Sequence, residues 1–109
     1  MTTTTPPLQQ RLEAILPELI ELRRHLHAHP ELSGEEHQTA ALISGELRQC
    51  GWRVREGVGR TGVMAELGPQ SGPQLGLRVD MDALPVEERT GLPYASLRQG
   101  VMHACGHDM

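Results

Sequence analysis

The chain has 109 residues, a formal charge of −4, no lysine and almost no aromatic side chains, Trp52 and Tyr94 standing without a phenylalanine. That length holds one domain at most, with a core that must come from Leu, Val, Ile and Met. The acidic balance and scattered arginines argue against a nucleic-acid partner. No apolar stretch nears the roughly 20 residues that span a bilayer, so no membrane partner is expected.

Residues 1–7 contain four threonines followed by Pro6 and Pro7. They lack the basic and apolar regions of a signal peptide and are expected to form a flexible tail. Cys50 and Cys105 lie too far apart to suggest a disulfide framework, which points to a reducing, cytoplasmic compartment. From Leu8 to Leu26, leucines and isoleucines recur at steps of three and four, the stripe of a helix. Pro17 should kink or restart it, and it should end before Pro30. His25, His27 and His29 crowd its last turn, where solvated or capping roles suit the helix dipole. Ser33 and Glu36 have capping-box spacing for a second helix that runs to Cys50 and stops at Gly51. Cys50 reads as a core thiol.

From Trp52 the period becomes two. Trp52–Glu56 and Thr61–Leu67 should pair antiparallel across a Gly-containing connection. Residues 74–81 read as a third strand, with Leu75, Leu77, Val79 and Met81 on one face and Arg78, Asp80 and Asp82 on the other. An inner strand covered on both sides should be apolar throughout. The charged face therefore marks either a wet edge or a ligand-facing strand end, where Asp80 and Asp82 could serve a metal or its ligands. Val86 to Leu97 reads as an irregular connection with Glu87, Glu88 and Arg89 exposed.

The last stretch carries the densest chemistry: His103, Cys105, His107 and Asp108 fall within six residues. In an extended segment residues two apart face the same way, so His103, Cys105 and His107 can converge. Thiolate and imidazole together suit zinc and similar divalent metals. The plainer alternative is a loop with a buried cysteine and two solvated histidines, because a closed site wants about four donors.

Taken in order, the segments Arg23-Arg24-His25-Leu26-His27, His29-Pro30-Glu31, Thr61-Gly62-Val63, Leu77-Arg78-Val79-Asp80-Met81-Asp82-Ala83-Leu84-Pro85, Thr90-Gly91-Leu92-Pro93-Tyr94 and Met102-His103-Ala104-Cys105-Gly106-His107-Asp108 resemble the metal-dependent amidohydrolases. The branch is that of hippurate hydrolases and indoleacetyl-amino-acid hydrolases, related to aminoacylases and two-metal carboxypeptidases. The resemblance implies an α/β fold, the N-terminal part of a two-metal aminopeptidase-like catalytic domain. Residues 8–109 would supply two helices followed by about three strands of a mixed sheet. It also implies an inserted domain used for homodimer contacts, which this chain does not contain.

The implied activity is hydrolysis of the amide bond of small N-acyl amino acids of the hippurate type. The implied cofactors are two divalent metal ions, with zinc, manganese, cobalt or nickel as candidates. Cys105 and His107 match the family's metal ligands, and Asp82 matches the acid after the third strand that supports a ligand in the catalytic site. His103 and Asp108 share the motif without an assigned role. The family's general base, one of two adjacent glutamates, and two further histidine ligands lie downstream of this motif. Glu35-Glu36 and Glu87-Glu88 match other motif positions, so the isolated chain is expected to be inactive. Two other readings stand beside this one: a small metal-binding or redox module using Cys105 and His107, and an interaction fragment that associates with a fuller homologue.

Overall fold

In a computed structural model that describes residues 4–108, two helices precede a hairpin: α1 (Leu8–Ala28), α2 (His37–Gln49), β1 (Arg53–Val58) and β2 (Gly62–Glu66). Residues 1–3 of the expected tail lie outside the described residues; residues 4–7 are exposed and without regular structure. Pro7 caps α1, its carbonyl accepting the Arg11 N–H at 3.2 Å. A proline there gives up only a donor that has no helical partner. The helix does not restart at Pro17; α1 runs through it. The missing N–H leaves one carbonyl without its helical donor, and the neighbouring helix surface is exposed, so water can serve that carbonyl. The helix ends ahead of Pro30 as expected. The His29 amide donates to the His25 and Leu26 carbonyls, and the His29 ring Nδ1 lies 2.8 Å from the His25 carbonyl.

The start of α2 departs from the capping-box expectation. The Ser33 side chain does not cap it. Glu31, ahead of the helix, accepts the Gln38 and Thr39 N–H groups at 3.1 and 2.5 Å. Those are two of the four orphan donors of a helix N-terminus, and a carboxylate there also meets the positive end of the dipole. Glu36 turns the other way and accepts from the Gly34 amide at 2.9 Å and the Thr61 hydroxyl at 2.6 Å. Burial on its own raises the Glu36 carboxyl, but these bonds and the nearby Arg60 charge outweigh it and hold it below the ordinary value. Glu36 thereby ties the start of α2 to the start of β2.

Gly51 terminates α2 at φ +86°. Its amide donates to the Arg48 carbonyl and the Trp52 amide to the Leu47 carbonyl, both at 3.0 Å, which is the Schellman pairing. Cys50, expected in the core, is exposed at this helix end, because the apolar side of α2 turns toward the hairpin.

The hairpin forms in the expected segments, with Arg53 opposite Glu66, Val54 opposite Ala65 and Arg55 opposite Met64. One extra residue on β1 then shifts the register so that Val58 faces Gly62. Gly57, at φ +71°, provides the left-handed conformation that such a bulge requires.

The expected third strand is absent: residues 74–81 carry no strand pairing among the described residues, and Leu75, Leu77 and Val79 are 99%, 89% and 80% exposed. A strand exists only as a paired ladder, and no described segment lies beside this one. Regular pairing resumes just after it. The Ala83 N–H donates to the Glu31 carbonyl at 2.8 Å, and Leu84 and Met102 exchange both backbone bonds at 2.9 and 3.0 Å.

Among the described residues, Ala40, Ala83 and Val101 are the buried aliphatic side chains. Val101 contributes about 1.5–3 kcal/mol; the two alanines add less. Leu8, Leu12, Ile15, Leu16, Leu19 and Ile20 leave the α1 stripe exposed. The radius of gyration is 16.5 Å, against about 13 Å for a compact chain of this length.

Two glycines near the α2 C-terminus should respond oppositely to alanine. Gly45 lies within the helix with open space around its Cβ position, whereas Gly51 has positive φ. Gly45→Ala should raise stability by about 0.5–1 kcal/mol and Gly51→Ala should lower it by about 1–2 kcal/mol. Urea midpoints of the two variants measure this.

Candidate metal centre

The backbone exchange between Leu84 and Met102 brings the two chemical segments of the sequence side by side. The exchange is an isolated bridge, with Asp82 two residues before it on one segment and His103 one residue after it on the other. From there the chain turns, the Asp108 amide donating to the Cys105 carbonyl at 3.1 Å. Inside the turn the Cys105 Sγ lies 3.4 Å from the His107 Nδ1 and 3.5 Å from the His107 amide nitrogen. Cys105 is half-buried and His107 exposed.

Two donors on one tetrahedral zinc, with bonds of about 2.3 Å to sulfur and about 2.0 Å to nitrogen, sit about 3.5 Å apart. The Cys105–His107 spacing therefore fits two ligands of a single ion. The set is incomplete. No group of three His, Cys, Asp or Glu side chains among the described residues is placed to hold a metal. Asp82 is half-buried beside the motif but does not close a three-donor set. The Asp80 carboxylate pairs with Arg78 at 3.2 Å on the exposed segment.

His103 occupies the inner side of the turn. Its Nδ1 lies 4.0 Å from the Asp108 carboxylate, and its Nε2 is buried without a hydrogen-bond partner. Burial pulls its pKa below the ordinary histidine value, the carboxylate of Asp108 opposes this, the neighbouring His27 adds to it, and Asp82 opposes it. An unpaired buried imidazole nitrogen leaves a polar atom unsatisfied at the edge of this turn.

Behind His103 stands a cluster that local sequence reasoning missed. His27, expected to be solvated or capping, presents Nε2 to the Glu88 carboxylate at 2.8 Å; the two side chains are 12% and 4% exposed. Glu88, expected to be exposed, also accepts from the Ser96 amide at 2.9 Å and from the Thr90 hydroxyl. Ser96 passes the order on, its hydroxyl lying 2.6 Å from the Val101 carbonyl. Tyr94 meets the His27 ring edge-on, and the Arg24 guanidinium lies 4.9 Å from the centre of the tyrosine ring. Glu88 thus fixes the path from residue 88 to the buried Val101 that delivers His103 and Cys105. Nothing local to Glu88 signals this, since its partner His27 lies 61 positions away.

Burial on its own raises the Glu88 carboxyl, but Thr90, Ser96 and His27 outweigh it and hold it below the ordinary value. A carboxyl lowered on folding adds stability above its unfolded pKa, and that stability is lost as pH falls through the folded value. Acid titration should therefore destabilise the chain below about pH 4.3, the unfolded glutamate pKa. Glu88→Gln should flatten part of this slope while lowering stability at pH 7. Urea unfolding across pH 3–7 checks the sign.

The model of Peptidase family M20/M25/M40 matches residues 76–109, which include Asp82, Cys105 and His107. N-acetyl-L-cysteine deacetylase of Bacillus subtilis is 52% identical over 98 residues, covering 89% of this chain and 24% of its own. Hippurate hydrolase of Campylobacter jejuni is 44% identical over 102 residues, covering 86% of this chain and 27% of its own. The crystal structure of the YXEP protein of Bacillus subtilis, described as a dinuclear metal-binding peptidase of the M20 family, superposes with a TM-score of 0.79 at 45% identity. That match covers 88% of this chain and 28% of the YXEP chain. The chain thus spans about a quarter of the length of the relatives it matches. Residues 76–109 thus match the M20 family model, and the described chain shares the α/β fold of an M20-family structure over 88% of its length.

Proposed function

We propose that this chain carries the first part of a two-metal site that hydrolyses the amide bond of N-acyl amino acids, with hippurate-type compounds among the substrates. Cys105 and His107 are the proposed metal ligands and Asp82 the supporting acid. The observation that carries the reading is the 3.4 Å separation of the Cys105 sulfur and the His107 ring nitrogen. The names of two relatives, N-acetyl-L-cysteine deacetylase and hippurate hydrolase, supply the substrate class. Two unpaired cysteines fit a reducing, cytoplasmic setting.

A bound divalent ion would polarise the scissile carbonyl and make a water acidic enough to attack near neutral pH. Cys105 would ligate as thiolate, giving up its proton on binding. His107 would ligate as neutral imidazole, Nδ1 being the ring atom nearest the sulfur. Asp82, on the segment beside the motif, would accept a hydrogen bond from a ligand ring and fix its orientation. Among the described residues no third donor joins Cys105 and His107, and we assign no residue as the base for the water proton. The chain alone is therefore proposed to bind metal weakly and to lack turnover.

Two measurements test this. Cys105→Ser should remove most of the zinc retained after dialysis while Cys50→Ser leaves it unchanged, because Cys50 has no ligand partner. Equal losses would contradict the assignment. The purified chain should not hydrolyse N-benzoylglycine or N-acetyl amino acids with added zinc, manganese or cobalt, since a positioned base is worth about 10²–10⁴-fold. Turnover that vanishes in Cys105→Ala would overturn the proposed inactivity.

A further inference from the structure

Cys105 and His107 lie on a turn closed by the bond from the Asp108 amide to the Cys105 carbonyl, and His107 at its tip is exposed. A turn that became ordered only when an ion arrived would bind more weakly, by the free energy of that ordering. The buried pair of His27 and Glu88 reaches this turn by two routes. The first runs along the chain. Glu88 accepts the Ser96 amide at 2.9 Å, and the Ser96 hydroxyl lies 2.6 Å from the Val101 carbonyl. The next residue, Met102, is the one that exchanges backbone bonds with Leu84. The Leu97 amide donates to the Ala28 carbonyl at 2.9 Å, which docks the same segment one residue beyond His27. The second route is through rings. The His27 ring centre lies 6.4 Å from that of His103, two residues ahead of Cys105.

We infer that His27 and Glu88 are positioning residues for the metal centre: bonded to each other, and neither assigned as a ligand, they hold the Cys105–His107 turn in its binding geometry and so set its affinity for a divalent ion. The inference rests on the proposed half-site and names what orders it in advance. Both side chains are enclosed by residues of this chain, and changing them leaves the thiol and imidazole donors chemically intact. Residues that orient metal ligands from outside typically change affinity by about 10–100-fold; acting at one further remove, this pair belongs at the lower end. Glu36 supplies the comparison. It too is a buried carboxylate joining distant segments, but its bond to the Thr61 hydroxyl at 2.6 Å ties α2 to β2 and not to the turn.

Cobalt(II) affinity, read from the thiolate charge-transfer band in competition with a chelator, tests this together with amide hydrogen exchange of the metal-free chain. Glu88→Ala and Ser96→Ala should each weaken cobalt binding by about tenfold and speed exchange at the Met102 and Asp108 amides. His27→Phe keeps a ring against His103 but loses the bond to Glu88, and should do the same to a smaller extent. Thr61→Val should lower stability and leave both readouts unchanged. Circular dichroism checks the helices of each variant; Ser96→Ala and His27→Phe carry the test if Glu88→Ala does not fold. Unchanged affinity in those two variants, or an equal loss in Thr61→Val, would overturn the inference. A wild type without the band would instead contradict the half-site itself. Exchange at Met102 and Asp108 would then decide the positioning alone, and rates equal to wild type in Ser96→Ala and His27→Phe would overturn it.

Discussion

Glu31 joins three parts of the chain at one point. Its backbone carbonyl receives the Ala83 N–H at 2.8 Å, and its carboxylate receives the Gln38 and Thr39 N–H groups. The end of α1, the start of α2 and the segment leading to the candidate centre therefore meet at one residue. Burial on its own raises this carboxyl, but the bonds from Thr39 and Gln38 and the charge of His37 outweigh it and keep it ionised more readily than usual. An N-terminal cap of this kind is worth about 0.5–2 kcal/mol. With Ala40, Ala83 and Val101 the only aliphatic side chains buried among the described residues, such polar junctions take a larger share of the organisation than they would in a domain with a deep core.

The same economy governs the candidate centre. Glu88 anchors the irregular segment through His27, Ser96 and Thr90, and the Leu84–Met102 exchange holds the two chemical segments together. The Cys105–His107 turn inherits its position from those contacts. The apolar stripe of α1 and the alternating face of residues 75–79 remain uncovered. The chain spans about a quarter of the relatives it matches, and these two surfaces are where its own residues offer least cover.

What the sequence revealed about the fold was local. The apolar spacing of α1, the stop at Gly51 and the alternation of β1 and β2 each depend on neighbours a few positions away, and each appears in the structure. Features set by distant partners were hidden. Ser33 has the spacing of a cap, but the carboxylate of Glu31 reaches the helix donors instead. Glu88 stands among charged residues and reads as solvated, yet it is buried against His27. Residues 74–81 alternate as a strand should, but alternation specifies which face is apolar and does not provide a neighbouring strand. Cys105 and His107 could be picked out because ligand chemistry depends on residue type and close spacing.

The central claim is that Cys105 and His107 form a two-donor half-site for one metal ion. Cobalt(II) titration followed by absorption spectroscopy tests it most directly, because a thiolate ligand produces a sulfur-to-cobalt charge-transfer band that imidazole and carboxylate do not. The expected result is such a band saturating at one ion per chain, lost in Cys105→Ser and weakened in His107→Ala. A titration with no charge-transfer band, or with a band that persists in Cys105→Ser, would contradict it.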